Sequence, residues 1–253
     1  MTENRLKTRL KSGEVVLGPF VNLSSPALIE IAAFAGFDFV ILDTEHGPLD
    51  IATCEDLCRV ADAVGISPIV RVRENNGPQI LRALDIGAAG AQVPQICTKA
   101  DAQAVVHAGK YAPLGMRGMS PYTRASWYSA QGTRVTDRLN DLSMLLVHVE
   151  GVEGLNNLSD ILSVKGLDVI FLGPYDLSQS LGIPGQVTDP RVVDRMKEAA
   201  KRIRDAGLAV GTFADGPDAA KRWIDAGVQY VSISVDTGIY LKACREIVKA
   251  VKG

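Results

Sequence analysis

The stretch Asp38-Phe-Val-Ile-Leu-Asp43-Thr-Glu-His46-Gly-Pro48 decides how the chain folds. Its apolar run is long enough for a buried strand and too short for a helix, and it ends in carboxylates, a histidine and a Gly-Pro turn. Three later apolar runs also stop at polar side chains, namely Arg71, the pair His148 and Glu150, and Asp176. The pattern predicts buried strands whose C-terminal ends carry chemically active groups.

Helical segments that end in glycine and are followed by a β-branched run recur along the chain. Such a glycine adopts the left-handed conformation that ends a helix, and the apolar run makes the next buried parallel strand. Strands are predicted near residues 15–20, 38–42, 67–72, 90–94, 143–149, 167–172, 208–213 and 229–235. Helical segments are predicted at 26–35, 49–64, 78–86, 99–109, 152–163, 190–206, 217–226 and 238–252.

This alternation predicts an α/β fold, a TIM-type (β/α)8 barrel in which residues 1–253 form a single domain. An open doubly wound sheet is the minor alternative. No G-x-G-x-x-G follows the first strand, so the dinucleotide-binding fingerprint of such sheets is missing.

Composition narrows the function classes. The net charge of −2 disfavours nucleic acid as a partner, because phosphate-tracking proteins carry a basic excess. No apolar run reaches the roughly 18 residues that span a bilayer, and the charged start of the chain is unlike a signal peptide. The four cysteines stand at no zinc-like spacing. We therefore expect a cytoplasmic protein with a small-molecule partner and no membrane association.

His148 and Glu150 lie two residues apart on one predicted strand, so they share a face. A lone carboxylate buried in a barrel mouth costs several kcal/mol unless a positive charge meets it, and a divalent metal would meet that need. Asp176, at the next strand end, would be the second ligand, and two carboxylates favour Mg²⁺ or Mn²⁺. The alternative is that Asp176 only caps the following helix.

His46 follows a strand, with Asp43 three residues earlier to orient its ring, as a general base requires. A purely structural histidine is the alternative. Arg71 ends its strand in a position to meet a carboxylate or a developing oxyanion, and Arg73 competes for that role. No predicted strand carries a lysine, which excludes Schiff-base chemistry inside the barrel.

The segment from Lys110 to Asp141 breaks the regular alternation with glycine, proline and aromatic residues. Long irregular loops in compact domains are commonly functional. We interpret the segment as a lid or a subunit contact. The alternative is a surface excursion with a short helix near 133–140.

An ordered set of motifs across nearly the whole chain resembles the HpcH/HpaI aldolase family, which comprises metal-dependent class II pyruvate aldolases, including the 4-hydroxy-2-oxo-heptane-1,7-dioate and 2-keto-3-deoxy sugar acid enzymes. The motifs that carry the resemblance are Leu42-Asp-Thr-Glu-His46-Gly, Pro68-Ile-Val-Arg71, Leu84-Asp85-Ile-Gly87, Val93-Pro94, Tyr111-Ala-Pro-Leu-Gly-Met-Arg117-Gly118, Val149-Glu150 and Phe171-Leu-Gly-Pro-Tyr-Asp176-Leu-Ser178.

The resemblance implies that Glu150 and Asp176 hold a divalent ion, Mg²⁺ or Mn²⁺ before Co²⁺ or Zn²⁺. It implies that Arg71 meets the ketone oxygen and that His46 with Asp43 transfers protons, or that a metal-bound water does.

Backbone amides of the stretch Gly173-Pro174-Tyr175 would receive the substrate carboxylate. Asp85 would join a hydrogen-bonded network at a subunit contact in a homo-oligomer, a hexamer built as a trimer of dimers with the C-terminal helix exchanged. His148 stands where the family has glutamine. Its role could therefore be that of a third metal ligand, a substrate contact or an additional proton carrier.

The expected reaction is reversible cleavage of a 4-hydroxy-2-oxo acid to pyruvate, or a related 2-oxo acid, and an aldehyde through a metal-stabilised enolate. The alternative is a citrate-lyase-like or malyl-CoA-lyase-like enzyme that acts on a CoA thioester. A barrel without catalysis is the more distant alternative.

Overall fold

The computed structural model describes residues 3–253, which form eight parallel strands and surrounding helices. The strands are β1 (Val16–Val21), β2 (Phe39–Asp43), β3 (Ser67–Arg71), β4 (Gly90–Val93), β5 (Met144–Val149), β6 (Val169–Leu172), β7 (Ala209–Ala214) and β8 (Tyr230–Val235). They pair in chain order, and β1 also pairs with β8, so the sheet closes into a barrel. The predicted (β/α)8 barrel is confirmed.

The helices lie outside the barrel or at its ends. They are α1 (Arg5–Lys11), α2 (Pro26–Phe34), α3 (Ile51–Val64), α4 (Gly77–Asp85), α5 (Lys99–Gly109), α6 (Thr136–Leu142), α7 (Val152–Asn156), α8 (Leu158–Leu162), α9 (Pro174–Ser180), α10 (Pro190–Asp205), α11 (Pro217–Asp225) and α12 (Asp236–Lys252), with a 3-10 turn at Arg124–Ser129. The helix predicted at 152–163 is divided at Asn157 into α7 and α8. Helix α1 was not predicted, and α9 was expected only as the helix that Asp176 would cap; both are seven residues long.

Glycines end helices as the sequence predicts. Left-handed backbone conformations, with positive φ, occur at Gly36, Gly65, Gly166, Gly207 and Gly227.

The core has two layers because side chains alternate along each buried strand. On β5, Met144 and Leu146 point into the barrel, whereas Leu145, Val147 and Val149 pack against the helices. Because Val147 and Val149 point outward, the neighbouring His148 points inward, where its ring stacks on Phe171 with 4.3 Å between the ring centroids.

Helix α1 closes the N-terminal end of the barrel. Leu6 and Leu10 are buried in the inner core layer. The Asn4 side chain, at the start of this helix, donates hydrogen bonds to the backbone oxygens of Ala89 and Leu142, at 2.8 and 2.6 Å. Ligands therefore reach the barrel interior from the opposite, C-terminal end.

The irregular segment between α5 and β5 also lies at the N-terminal end. Arg124 donates to the backbone oxygens of Ile86 and Gly87, which follow α4. The short helix expected near 133–140 is α6. Because the strands end at the other rim, this segment does not cover the mouth of its own barrel, and the lid interpretation is wrong for the single chain.

The last helix leaves much of its apolar surface exposed. Of the residues of α12, only Asp236 is buried, and Tyr240, Ile247 and Val251 are exposed. Among residues 3–253, no helix is long and apolar enough to cross a lipid bilayer.

Lys110 ties the irregular segment to the barrel. Its buried Nζ donates to the backbone oxygens of Asn140 and Ser143, at 2.7 and 2.6 Å, and lies 3.2 Å from the Ser143 hydroxyl. Burial lowers the pKa of Lys110 to about 8. The ammonium group therefore remains inside only because these acceptors take its hydrogen bonds.

We expect Lys110→Met to lower the free energy of unfolding by about 2–4 kcal/mol, because it leaves buried carbonyl oxygens without donors. Urea denaturation followed by circular dichroism measures this change. The matched control is Lys11→Met, which alters an exposed lysine at the end of α1. Equal stability of the two variants would contradict the structural role of Lys110.

Candidate active site

A cavity of about 240 Å³ opens at the C-terminal ends of the strands. It is lined by all but one of the side chains proposed from the sequence, namely Asp43, His46, Arg71, His148, Glu150, Gly173, Pro174, Tyr175 and Asp176. A larger cavity, of about 350 Å³, lies at the opposite end beside Arg117 and Arg124. The polar strand ends meet only in the smaller one, so it is the candidate active site.

Arg71 is held by two carboxylates. Its Nε and Nη2 donate to the two oxygens of Asp43 at 2.8 and 2.6 Å, and its Nη1 lies 3.0 Å from Glu45. Asp43 and Arg71 are register partners on β2 and β3. A guanidinium has five N–H groups, so these contacts leave two for a ligand.

Asp43 does not orient the His46 ring, contrary to the role predicted for it. Its carboxylate is taken up by Arg71 and by the backbone N–H groups of Glu45 and His46, at 3.0 and 3.3 Å. The bidentate ion pair outcompetes a single imidazole hydrogen bond. His46 itself is exposed, with its side chain at the edge of the cavity.

Glu150 is a buried carboxylate with a partner on each oxygen. Its Oε1 accepts from the Gln95 backbone N–H at 2.9 Å, and its Oε2 lies 2.9 Å from His148 Nδ1. Burial acts to raise the pKa of Glu150, but attraction to His148 and the hydrogen bonds outweigh it and bring the pKa below its usual value. Glu150 is therefore ionised in this environment.

His148 is the middle of a hydrogen-bonded chain that runs into the barrel. The Tyr230 hydroxyl donates to Gln92 Oε1 at 3.2 Å, and Gln92 Nε2 lies 2.5 Å from His148 Nε2. His148 Nδ1–H donates to Glu150, and Nε2 faces the Gln92 amide group. Both ring nitrogens are engaged, and His148 thus holds Glu150 in place instead of pointing at a ligand.

Asp176 lies in the first turn of α9. The helix begins at Pro174, its N-terminal cap is Gly173, and no side chain provides a cap hydrogen bond. The capping alternative is therefore not what the structure shows. Burial raises the pKa of Asp176, and the negative charge of Glu150 raises it further.

The donor set of Glu150 and Asp176 fits a divalent cation. Each Glu150 oxygen has one hydrogen bond and a lone pair to spare, and the raised pKa of Asp176 reports negative charge that a cation would offset. No group of three or more His, Cys, Asp or Glu side chains within residues 3–253 is arranged to hold an ion. Two protein carboxylates with open positions suit Mg²⁺ or Mn²⁺.

Gly173 permits the close approach of α9 to Glu150. A Cβ atom at this position would lie 2.5 Å from Glu150 Oε2 and 2.7 Å from its Cβ. Any larger residue would therefore have to displace the Glu150 carboxylate.

Sequence reasoning missed several side chains of the cavity. Phe20 and Asn22 lie on the inward face at the C-terminal end of β1. The same rule that placed site residues at the ends of the other strands could have found them. Asn22 Oδ1 is buried, and no group within residues 3–253 donates a hydrogen bond to it. Phe213 on β7 is apolar, so the search for polar side chains at strand ends could not find it. The ion pair of Glu45 with Arg71 forms only in the folded barrel and could not be read from the sequence.

Asp85 is the one predicted site residue outside the cavity. It ends α4, and helices between parallel strands run back toward the N-terminal rim, so it lies at the far end of the barrel. There its carboxylate accepts a 2.6 Å hydrogen bond from Arg117. Asp85 therefore does not line the mouth of its own barrel, and its expected place in a network at a subunit contact stays a prediction.

Comparisons with known proteins agree with this geometry. Residues 17–243 match the family model for HpcH/HpaI aldolase/citrate lyase. A hydroxypyruvate/pyruvate aldolase of Pseudomonas aeruginosa is 36% identical over 99% of this chain and 93% of its own. A 2-keto-3-deoxy-L-rhamnonate aldolase of Escherichia coli O9:H4 is 37% identical over 96% and 91%. The crystal structure of an HpcH/HpaI aldolase/citrate lyase family protein from Burkholderia cenocepacia superimposes with a TM-score of 0.94, at 31% identity, over 99% and 100%.

We expect Gly173→Ala to weaken Mn²⁺ binding by about tenfold to a hundredfold, because the added methyl group displaces the Glu150 carboxylate. Isothermal titration calorimetry on chelator-treated protein measures the affinity. Gly216→Ala is the matched control, since a Cβ there meets no atom within 4 Å. Equal Mn²⁺ affinities of the two variants would refute the proposed crowding.

Proposed function

The chain belongs to the HpcH/HpaI aldolase/citrate lyase family and is an aldolase, and from this premise we propose that it cleaves a 4-hydroxy-2-oxo acid into pyruvate, or a related 2-oxo acid, and an aldehyde. The main observation in support of this proposal is that Arg71, Glu150 and Asp176 line the same cavity. The activities named for the two aldolase relatives support the same reaction class.

Glu150 and Asp176 would hold the divalent ion, Mg²⁺ or Mn²⁺, which when bound supplies Lewis-acid polarisation of the 2-oxo acid. Gly173 leaves room for the Glu150 carboxylate, and His148 fixes the orientation of Glu150. The amides at the start of α9, next to Gly173 and Tyr175, receive the substrate carboxylate.

Arg71 meets the ketone oxygen with its two remaining N–H groups. As the bond between C3 and C4 breaks, its electron pair delocalises into an enolate, and the negative charge develops on that oxygen. A guanidinium already held by Asp43 and Glu45 needs no reorganisation to stabilise the charge. The 4-hydroxyl proton leaves to His46 or to a water molecule beside it, which yields the aldehyde.

The CoA-thioester alternative finds less support. A CoA-binding mouth requires basic side chains for the phosphates, but Arg71 is the only lysine or arginine among the described residues that line the cavity, and two carboxylates already pair with it.

We also propose a cytoplasmic homo-oligomer with an exchanged C-terminal helix. The exposed apolar residues of α12, such as Ile247 and Val251, support the exchange, because monomeric proteins rarely expose a continuous apolar helix face to water. The four cysteines are free thiols, which is consistent with a reducing compartment.

Exchange of the pyruvate methyl protons with deuterium, followed by NMR, tests the function without knowledge of the aldehyde. We expect exchange in protein supplied with Mn²⁺ or Mg²⁺, loss of exchange after chelation, and a loss of at least a hundredfold in Glu150→Gln. Glu153→Gln, the same change on the exposed side of α7, is the matched control. No exchange with any metal would remove the pyruvate aldolase proposal and favour a CoA-thioester assay.

Arg71→Ala should lower kcat for cleavage by a factor on the order of 10² or more, because it removes the donor that stabilises the developing charge. Arg73→Ala is the control, since Arg73 is exposed and its side chain donates to the Thr44 backbone oxygen at the surface. Steady-state kinetics of both variants decide between the two arginines. A loss of kcat of only twofold or threefold in Arg71→Ala would contradict the assignment of Arg71 as the charge-stabilising donor.

A further inference from the structure

We propose that the Tyr175 hydroxyl and the Asp215 carboxylate form a pair that recognises hydroxyl groups on the aldehyde half of the substrate. The inference rests on the proposed aldolase function and specifies the aldehyde class that this site accepts, a short, uncharged hydroxyaldehyde.

The pair joins two neighbouring strand-to-helix connections at the rim of the cavity. Tyr175 follows β6, Asp215 follows β7, and the Tyr175 hydroxyl donates to Asp215 Oδ1 at 2.6 Å. The Tyr175 ring also packs edge-on against Phe213, with 5.9 Å between the ring centroids. Two independent contacts therefore fix the position of the phenol.

The position of Tyr175 separates the pair from the pyruvate end of the cavity. Arg71 and Glu150 form the deep end, where Arg71 is half-buried and Glu150 is only 8% exposed. Tyr175 lines the same cavity and is 45% exposed. A substrate that places its 2-oxo acid against the deep groups must extend its remaining carbons outward past the Tyr175 ring.

The pair offers hydrogen-bond acceptors to that part of the substrate. The phenol proton is used by Asp215, which leaves the phenol oxygen lone pairs and the second carboxylate oxygen free to accept. A substrate hydroxyl can donate to them, whereas an unsubstituted carbon chain leaves them without a partner, and a site built for hydroxyl groups rejects such analogues. The charge of Asp215 also disfavours an aldehyde that ends in a carboxylate.

The surrounding cavity wall strengthens this contrast. Phe20, Phe213 and Val235 are apolar and bind any short carbon chain alike. Discrimination between a hydroxylated and an unsubstituted aldehyde therefore falls on Tyr175 and Asp215.

The test compares glyceraldehyde with propionaldehyde, which have the same chain length, in aldol addition to pyruvate by the Mn²⁺-loaded protein. For each aldehyde, kcat/KM is measured in the wild type, Tyr175→Phe, Asp215→Asn and the double variant. Asp218→Asn is the matched control, because it removes the same charge from an exposed residue of α11. A ratio measured within one protein sample does not depend on how much of that sample is folded.

We expect the wild type to prefer glyceraldehyde by about tenfold or more, and each single variant to lose about tenfold of that preference, chiefly through KM for glyceraldehyde. Because the two groups act together, the double variant should lose little more than either single variant. Asp218→Asn should keep the wild-type ratio.

Two results would overturn the inference while the proposed function stands. One is a wild type that exchanges pyruvate protons but shows no preference between the aldehydes. The other is an equal loss for both aldehydes in Tyr175→Phe and Asp215→Asn, which is what a purely structural contact between two loops would produce. Absence of pyruvate proton exchange in the wild type would instead remove the proposed function, and the inference with it.

Discussion

The ionised carboxylate of Glu150, buried at the barrel mouth, is the constraint on which the site depends. A buried charge is costly unless hydrogen bonds and opposite charge meet it. His148 and the Gln95 amide supply the hydrogen bonds, and Gln92 and Tyr230 extend the support into the barrel. Asp176 adds a second carboxylate, and the proposed divalent cation would offset both charges. Under that proposal, metal binding and the packing of the barrel interior are parts of one electrostatic balance.

Arg71, like Glu150, is held in position by neighbouring polar groups. Its guanidinium is fixed by the bidentate pair with Asp43 and by Glu45, and it lies 4.6 Å from the centre of the Phe20 ring. Such a group loses little further conformational freedom when a substrate binds. Preorganised donors of this kind are more effective than flexible ones for charge that develops only during reaction. In the proposed reaction, the two carboxylates would act by positioning Arg71.

The two ends of the barrel have different tasks. At the N-terminal end, α1, Lys110 and the ion pair of Arg117 with Asp85 close and stabilise the structure. At the C-terminal end, Tyr175 lines the open cavity and donates a hydrogen bond to Asp215 of the next connection. If this pair recognises the aldehyde as proposed, stability and specificity lie on separate parts of the chain.

The sequence by itself determined the barrel and the polar groups at its mouth, because strand length, glycine helix ends and side-chain alternation are local properties of the chain. Those rules placed His148, Glu150, Arg71 and Asp176 at strand ends, and all four line one cavity. Only the tertiary structure decided which groups are partners. Asp43 had two candidate partners, and strand register gave it to Arg71 instead of the His46 ring. Asp85 lies at the far rim because its helix runs back along the barrel, and Tyr175 meets Asp215 across 40 residues. Such pairings depend on closure of the sheet, which brings distant segments together and which no local pattern encodes.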